Sequence, residues 1–188
     1  MNHHKLVLAS TNAHKLAELR QALPGWELAL LERDDYPPET GRTYEENAAA
    51  KARFARRHAS REAWVIGEDS GIEAAALGGR PGIASARWAD DGVGRLLAEL
   101  EGAGDRRAQY VCVIVALDPG GDAVTVTGTL AGTIVDGEPR GRDGFGYDPI
   151  FVPLGETSTV AELGDAWKRL HSHRAVAAAH LARALAHR

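Results

Sequence analysis

The sequence predicts an α/β fold built on a mixed β-sheet, and three observations carry that expectation. Strand-like and helix-like stretches alternate from Lys5 to Ile66, as in chains that wind helices onto a sheet. A turn sequence, Asp118-Pro119-Gly120-Gly121-Asp122, then joins two long strand-like runs. No internal repeat, low-complexity tract or long linker divides the 188 residues, a length that suits one domain, 1–188, or two tightly joined lobes.

In order, Lys5 to Ala9 reads as the first strand. A helix from about Ala13 to Leu23 follows, with Leu16, Leu19 and Leu23 on one face and Pro24-Gly25 as its stop. Trp26 to Leu31 reads as a second strand, and Glu32 to Arg42 as a polar loop with Pro37, Pro38 and Gly41. Thr43-Tyr44-Glu45-Glu46 has the spacing of a capping box and opens an alanine-rich helix to about His58. The run Ala63-Trp64-Val65-Ile66 is short enough for a buried strand, and Gly67-Glu68-Asp69-Ser70-Gly71 is expected to turn sharply off the sheet. Ile72 to Ala89 is expected to give a short extended piece and an ordered loop. A short helix around Val93 to Leu100, strands at Arg107 to Leu117 and Ala123 to Leu130, and a short strand at Ile150-Phe151-Val152 come next. The tail from about Ala161 to Arg188 is helical, with a break near Ser172.

Twenty-two basic and twenty-six acidic side chains leave a net charge of −4. That argues against a bulk nucleic-acid binder or an anionic-membrane binder, both of which prefer basic faces. Cys112 is the sole cysteine, so no intramolecular disulfide forms, and cytoplasmic residence is the default. Its apolar surroundings suggest a small buried hydrophobe. The seven-residue apolar run Val111 to Leu117 is too short to span a bilayer. The N-terminus lacks the apolar stretch of a signal peptide, and His3-His4 has no partner spacing for a metal.

Four constellations could carry chemistry. Ser10-Thr11-Asn12 with Lys15 places hydroxyls, an amide and backbone donors at a helix N-terminus, which suits a phosphate or an ordinary cap. Glu39, Glu45, Glu46, Glu68 and Asp69 form an acidic set. Beside phosphates such carboxylates suit Mg²⁺; alternatively Glu45 and Glu46 are first-turn acids, and Asn47 and Lys51 a solvated helix face. Gly144-Phe145-Gly146-Tyr147-Asp148-Pro149 puts two aromatics between glycines, for stacking on a base or for a tight turn in which Phe145 plugs the core. Lys168, His173 and Arg174 could read acceptor oxygens on a base or form a solvated basic face.

Taken together, in this order along the chain, several segments resemble the inosine triphosphate pyrophosphatase family. They are Ser10-Thr11-Asn12 with Lys15, Glu39-Thr40-Gly41 through Glu46-Asn47 with Lys51, and Asp69-Ser70-Gly71 running to Gly78-Gly79-Arg80-Pro81-Gly82 and Ser85-Ala86-Arg87. Gly144-Phe145-Gly146-Tyr147-Asp148-Pro149 and Ser172-His173-Arg174 complete the set. The resemblance implies an elongated mixed β-sheet flanked by helices, two lobes with the active-site groove between them, and a homodimer. It implies hydrolysis of noncanonical purine nucleotides (ITP, dITP, XTP) to the monophosphate and pyrophosphate with Mg²⁺. By the same resemblance, Ser10, Thr11, Asn12, Lys15 and Lys51 would bind the triphosphate, with Ser70 on the substrate. Asp69 would be the catalytic acid/base and a metal ligand with Glu39 and Glu68. Phe145, Gly146, Tyr147 and Asp148 would line the nucleoside site, and Lys168, His173 and Arg174 would contact the base.

Three departures from the family pattern stand out. Glu68 replaces a common Asp, Asp143 replaces a common glycine before Gly144, and the segment after Trp88 is short. Two other functions stand as alternatives: a Maf-like pyrophosphatase for modified pyrimidine nucleotides, and a non-catalytic nucleotide-binding module. The acidic pair argues against the second. Donor-only Lys168 and Arg174 would favour the C6 oxygen of hypoxanthine and xanthine over the C6 amine of adenine.

Overall fold

The computed structural model describes residues 4–186. Met1 to His3, with the His3 of the histidine pair, and the last two residues of the tail lie outside it. Strands β1 (His4–Ala9), β2 (Trp26–Leu30), β3 (Trp64–Ala74), β4 (Arg107–Leu117), β5 (Ala123–Ile134) and β6 (Phe151–Pro153) form one sheet in the order β2-β1-β3-β4-β5-β6. β1 pairs in parallel with β2 and with β3, whereas β5 and β6 are antiparallel, so the sheet is mixed as expected. Helices α1 (Ala13–Ala22), α2 (Tyr44–His58), α3 (Gly92–Glu99), α4 (Val160–His171) and α5 (His173–Leu185) flank it. No helix among the described residues is long and apolar enough to cross a membrane.

The chain divides into two compact units. The first comprises residues 1–69, 112–128 and 174–188, and the second 70–111 and 129–173. Each has its own core. In the first, Leu6 and Leu8 of β1 meet Leu16, Leu19 and Leu23 from the α1 segment, Ile66 of β3, Ile114 of β4 and Leu181 of α5. Burying each such side chain contributes about 1.5–3 kcal/mol. In the second, Ile72, Leu96, Leu100, Tyr110, Ile150 and Phe151 pack together.

β3 departs from the expectation. Its strand does not end before Glu68 but continues through the acids to Ala74. Gly67 is therefore no turn residue. A Cβ there would lie 2.0 Å from Ala48 O and 2.6 Å from Ala52 N. The alanine-rich face of α2, with Ala48, Ala52 and Ala55 fully buried, sits directly on the strand, and only glycine allows that approach. Beyond it, where an ordered loop was expected, the chain makes two 3-10 turns, Ala75–Leu77 and Gly82–Arg87. β5 runs four residues further than expected, to Ile134.

Helix ends follow the capping residues. Thr43 Oγ1 accepts from Glu46 N at 3.1 Å, but Glu46 reaches back to Arg42 N rather than to Thr43. The full reciprocal box forms instead at Thr159 and Glu162, opening α4. The break near Ser172 is present between α4 and α5, and a second kink falls at Gly164, φ 78°.

Candidate active site

The predicted site residues fall into two groups, one in each unit. In the first unit, β1 ends at Ala9 and the chain turns through Ser10-Thr11-Asn12 into α1. Asn12 caps that helix: its Oδ1 accepts from His14 N at 2.9 Å and Lys15 N at 3.3 Å, while Ser10 Oγ accepts from Asn12 N at 3.0 Å. Two of the N–H groups expected to face a phosphate are thus taken by Asn12. Lys15 reaches from the first turn of α1 to β3, where its Nζ lies 2.5 Å from Glu68 Oε2.

Glu68 is 1% exposed, and its other oxygen accepts from Arg174 Nε at 3.2 Å, Arg174 Nη2 at 3.0 Å and the Cys112 thiol at 3.3 Å. Burial alone would disfavour the carboxylate, but Lys15 and Arg174 outweigh it and hold Glu68 well below the usual carboxylate range. Burial and the neighbouring Glu68 push the Cys112 thiol up. Cys112 is buried as expected, yet it is also a donor to the site.

Two further candidates meet in the first unit. The Arg174 guanidinium, expected at the base, is buried between Glu68 and Glu18 and pairs with both carboxylates. Glu68, expected as a metal ligand, carries the Lys15 and Arg174 cations.

Asp69 follows on the same strand with a different environment. Its Oδ2 accepts from Asn47 Nδ2 at 2.9 Å, and its Oδ1 lies 3.3 Å from Lys51 Nζ. Lys51 also donates to Glu68 O at 3.1 Å and pairs with Glu39. Burial raises the Asp69 carboxyl above its ordinary value; Lys51 and Asn47 pull it back only in part, and Glu39 adds to the rise. Burial likewise works against the Lys51 ammonium, yet Asp69 and Glu39 raise it overall. Asn47 and Lys51, one helical turn apart on α2, are therefore not a solvated face. Asn47 is fully buried, with Oδ1 taking Gly41 N at 2.9 Å and Nδ2 fixing Asp69. Its i, i+4 spacing with Lys51, and the place of both in the family's motif, were the available signals.

Among the described residues no three His, Cys, Asp or Glu side chains converge as a metal-holding group. Glu39 and Asp69, however, converge on one cation, the Lys51 ammonium. Two hard oxygen donors sharing a positive charge fit Mg²⁺, which takes one or two carboxylates beside phosphate oxygens. Glu45 stays outside this cluster; Glu46 serves the start of α2.

The second unit holds the other group. Gly144, φ 78°, leaves no room for a Cβ, which would sit 2.2 Å from Asp148 Oδ2. The buried Asp148 carboxylate is thereby pulled into its own loop: Oδ2 accepts from Phe145 N at 2.9 Å and from Lys168 Nζ at 2.7 Å, and Oδ1 accepts from Tyr110 OH at 3.1 Å. Lys168 is buried on α4, its Nζ 4.6 Å from the centre of the Phe145 ring. His173 stacks on Tyr110, centroids 4.6 Å apart and 6° between planes. Of the two aromatics expected to line the nucleoside site, Tyr147 plugs the core, its OH donating to Ser85 O at 3.0 Å, while Phe145, the alternative core plug, is only partly buried. Gly146, φ 61°, is exposed, and Ser70 is partly buried in β3.

The sequence model of the Ham1 family matches residues 6–184. The chain is 44% identical to a dITP/XTP pyrophosphatase of Deinococcus deserti, over 94% of this chain and 87% of that one. It is 46% identical to the protein of the same name from Mycobacterium bovis, over 96% and 95%. Among solved structures it resembles the Ham1 protein of Staphylococcus aureus, with TM-score 0.85 and 36% identity over 97% of this chain and 98% of that one. A match this long, carried by ordered motifs and fold alike, settles the family: the chain belongs to the Ham1 family.

Proposed function

We propose that this protein hydrolyses ITP, dITP and XTP to the nucleoside monophosphate and pyrophosphate. The observation that carries the reading is Asp69, a buried carboxylate of raised pKa held between Asn47 and Lys51, in a chain whose relatives bear the name dITP/XTP pyrophosphatase. Such a group is poised to accept a proton from water. In the proposed reaction the water oxygen bonds to the α-phosphorus and the bond to the leaving pyrophosphate oxygen breaks, while Asp69 takes the proton. Lys15, Lys51 and the hydroxyls of Ser10 and Thr11 would hold the triphosphate, the two ammoniums stabilising charge as it builds on the transferring group. Ser70 would touch the substrate beside Asp69.

Glu39 and Asp69 would hold Mg²⁺, which when bound supplies charge neutralisation on the phosphates and orients the leaving group. Activity is expected to fall tenfold or more, on the order of the loss of a Lewis-acid contact, after EDTA treatment and to return on adding MgCl₂. Full activity in rigorously chelated enzyme contradicts the metal.

Phe145, Gly146, Asp148, Lys168 and His173 would receive the base, with Tyr147 supporting them from the core. Lys168 is donor-only, so beside its Asp148 partner it favours an acceptor oxygen at C6 over an amine, which offers only a further donor. Pyrophosphate release across ITP, XTP, GTP and ATP tests this: ITP and XTP should exceed ATP, and Lys168→Ala should shrink the ITP/ATP ratio by about tenfold, the value of one charge-assisted hydrogen bond. Equal cleavage of ATP and ITP by the wild type refutes the reading.

A further inference from the structure

We infer that Tyr110 is the positioning residue that sets base specificity, and this deepens the function proposed above and rests on it. Tyr110 lies on β4, whose neighbours in the sheet are β3 and β5. It is 7% exposed and packs within the second core, its ring 4.7 Å from that of Phe151. From that anchored ring it reaches two of the groups assigned to the base by different means. Its hydroxyl donates to Asp148 Oδ1, and its face stacks flat on His173.

The hydroxyl matters because of what the other Asp148 oxygen does. Oδ2 takes the Lys168 ammonium at 2.7 Å and the Phe145 N–H at 2.9 Å. A carboxylate is planar and rigid, so fixing Oδ1 fixes Oδ2. Tyr110 thereby orients the donor that reads C6 and the backbone that carries the Phe145 ring. Without the hydroxyl, Oδ1 is a buried acceptor that has lost a partner, and rotation of the carboxylate toward another donor shifts Lys168 with it. The stacked face fixes the plane of the His173 ring in the same way. None of these groups reaches the reacting phosphorus in this assignment, so the expected effect is on selection and affinity rather than on the chemical step.

Tyr110→Phe removes the hydroxyl and keeps the ring. With this variant KM for ITP should rise about tenfold, the scale of a hydrogen bond to a charged group. The ITP/ATP ratio of kcat/KM should fall by a similar factor, and kcat for ITP should stay within about twofold. Tyr110→Leu removes the stack as well and should lower the ratio further. A purely structural residue would lower the folded fraction, which scales all rates alike and leaves KM and the ratio untouched, so partial unfolding does not mimic the result. Wild-type selectivity and KM in Tyr110→Phe, alongside a wild type that prefers ITP, overturn the inference alone. A wild type with no preference for ITP overturns the proposed function and this inference with it.

Discussion

Asp69→Asn is expected to lose turnover by at least about a hundredfold, the lower end for general acid–base catalysis, while the protein keeps its fold. The amide has the volume of the carboxylate, and its oxygen can still accept from Asn47 Nδ2. The Lys51 ammonium, which also binds Glu39 and Glu68 O, need not lose its footing. What disappears is the proton acceptor and one hard-oxygen ligand. Stability should move the other way from activity. Asp69 has a folded pKa raised above its unfolded value, chiefly by burial, so its ionised form at neutral pH opposes folding. The neutral amide escapes that cost. Relative to wild type the variant should therefore be no less stable at neutral pH, and any advantage should vanish as pH falls below the ordinary aspartate range, where the wild-type side chain is protonated too. Turnover of ITP and urea unfolding midpoints at two pH values check both halves. Near wild-type turnover removes Asp69 from the catalytic role, and a large loss of stability would mean that its charge is structural.

The two adjacent acids show how far a sequence speaks for itself. Their membership of a site was legible from their neighbours in the chain, but their division of labour was not. Glu68 is held low by Lys15 and Arg174, while Asp69 is raised by burial, and Arg174 lies more than a hundred residues away along the chain. Local patterns carried what local physics decides: the leucine face of α1, the Thr43 cap of α2, the break at Ser172. They misled where a distant element decides. Gly67 looked like a turn because only the packing of α2 shows that it is a contact glycine. Asn47 looked solvated because nothing nearby in sequence reveals that α2 turns that face onto Asp69. Tyr147 rather than Phe145 plugs the core, where the loop's direction is set by Gly144 and Asp148. Tyr110 gave no signal at all, since an aromatic in a strand is ordinary core material.

Arg174→Met should destabilise the first unit by about 3–5 kcal/mol, the usual effect of removing one partner from a buried ion pair. Arg174 is 1% exposed and its guanidinium spans Glu68 on β3 and Glu18 on α1, so α5, β3 and α1 meet at a single charge. Methionine fills much of the volume but leaves Glu68 with Lys15 and the Cys112 thiol and Glu18 without the guanidinium. The pH dependence distinguishes a lost charge from lost packing. In the wild type, Glu68 has a folded pKa well below its unfolded value, so its contribution is present above the ordinary glutamate range and is lost as pH falls through the depressed folded value. Without Arg174 that folded value rises, and the contribution shrinks at neutral pH. The gap between wild type and variant should therefore be full at neutral pH and narrow as the pH is lowered through the glutamate range, because the protonated carboxyl no longer needs the guanidinium. Urea unfolding of both proteins at neutral and acid pH is the measurement. A gap that stays constant would assign Arg174 to packing, and a variant as stable as wild type at neutral pH would remove the buried charge network from the forces that hold this unit together.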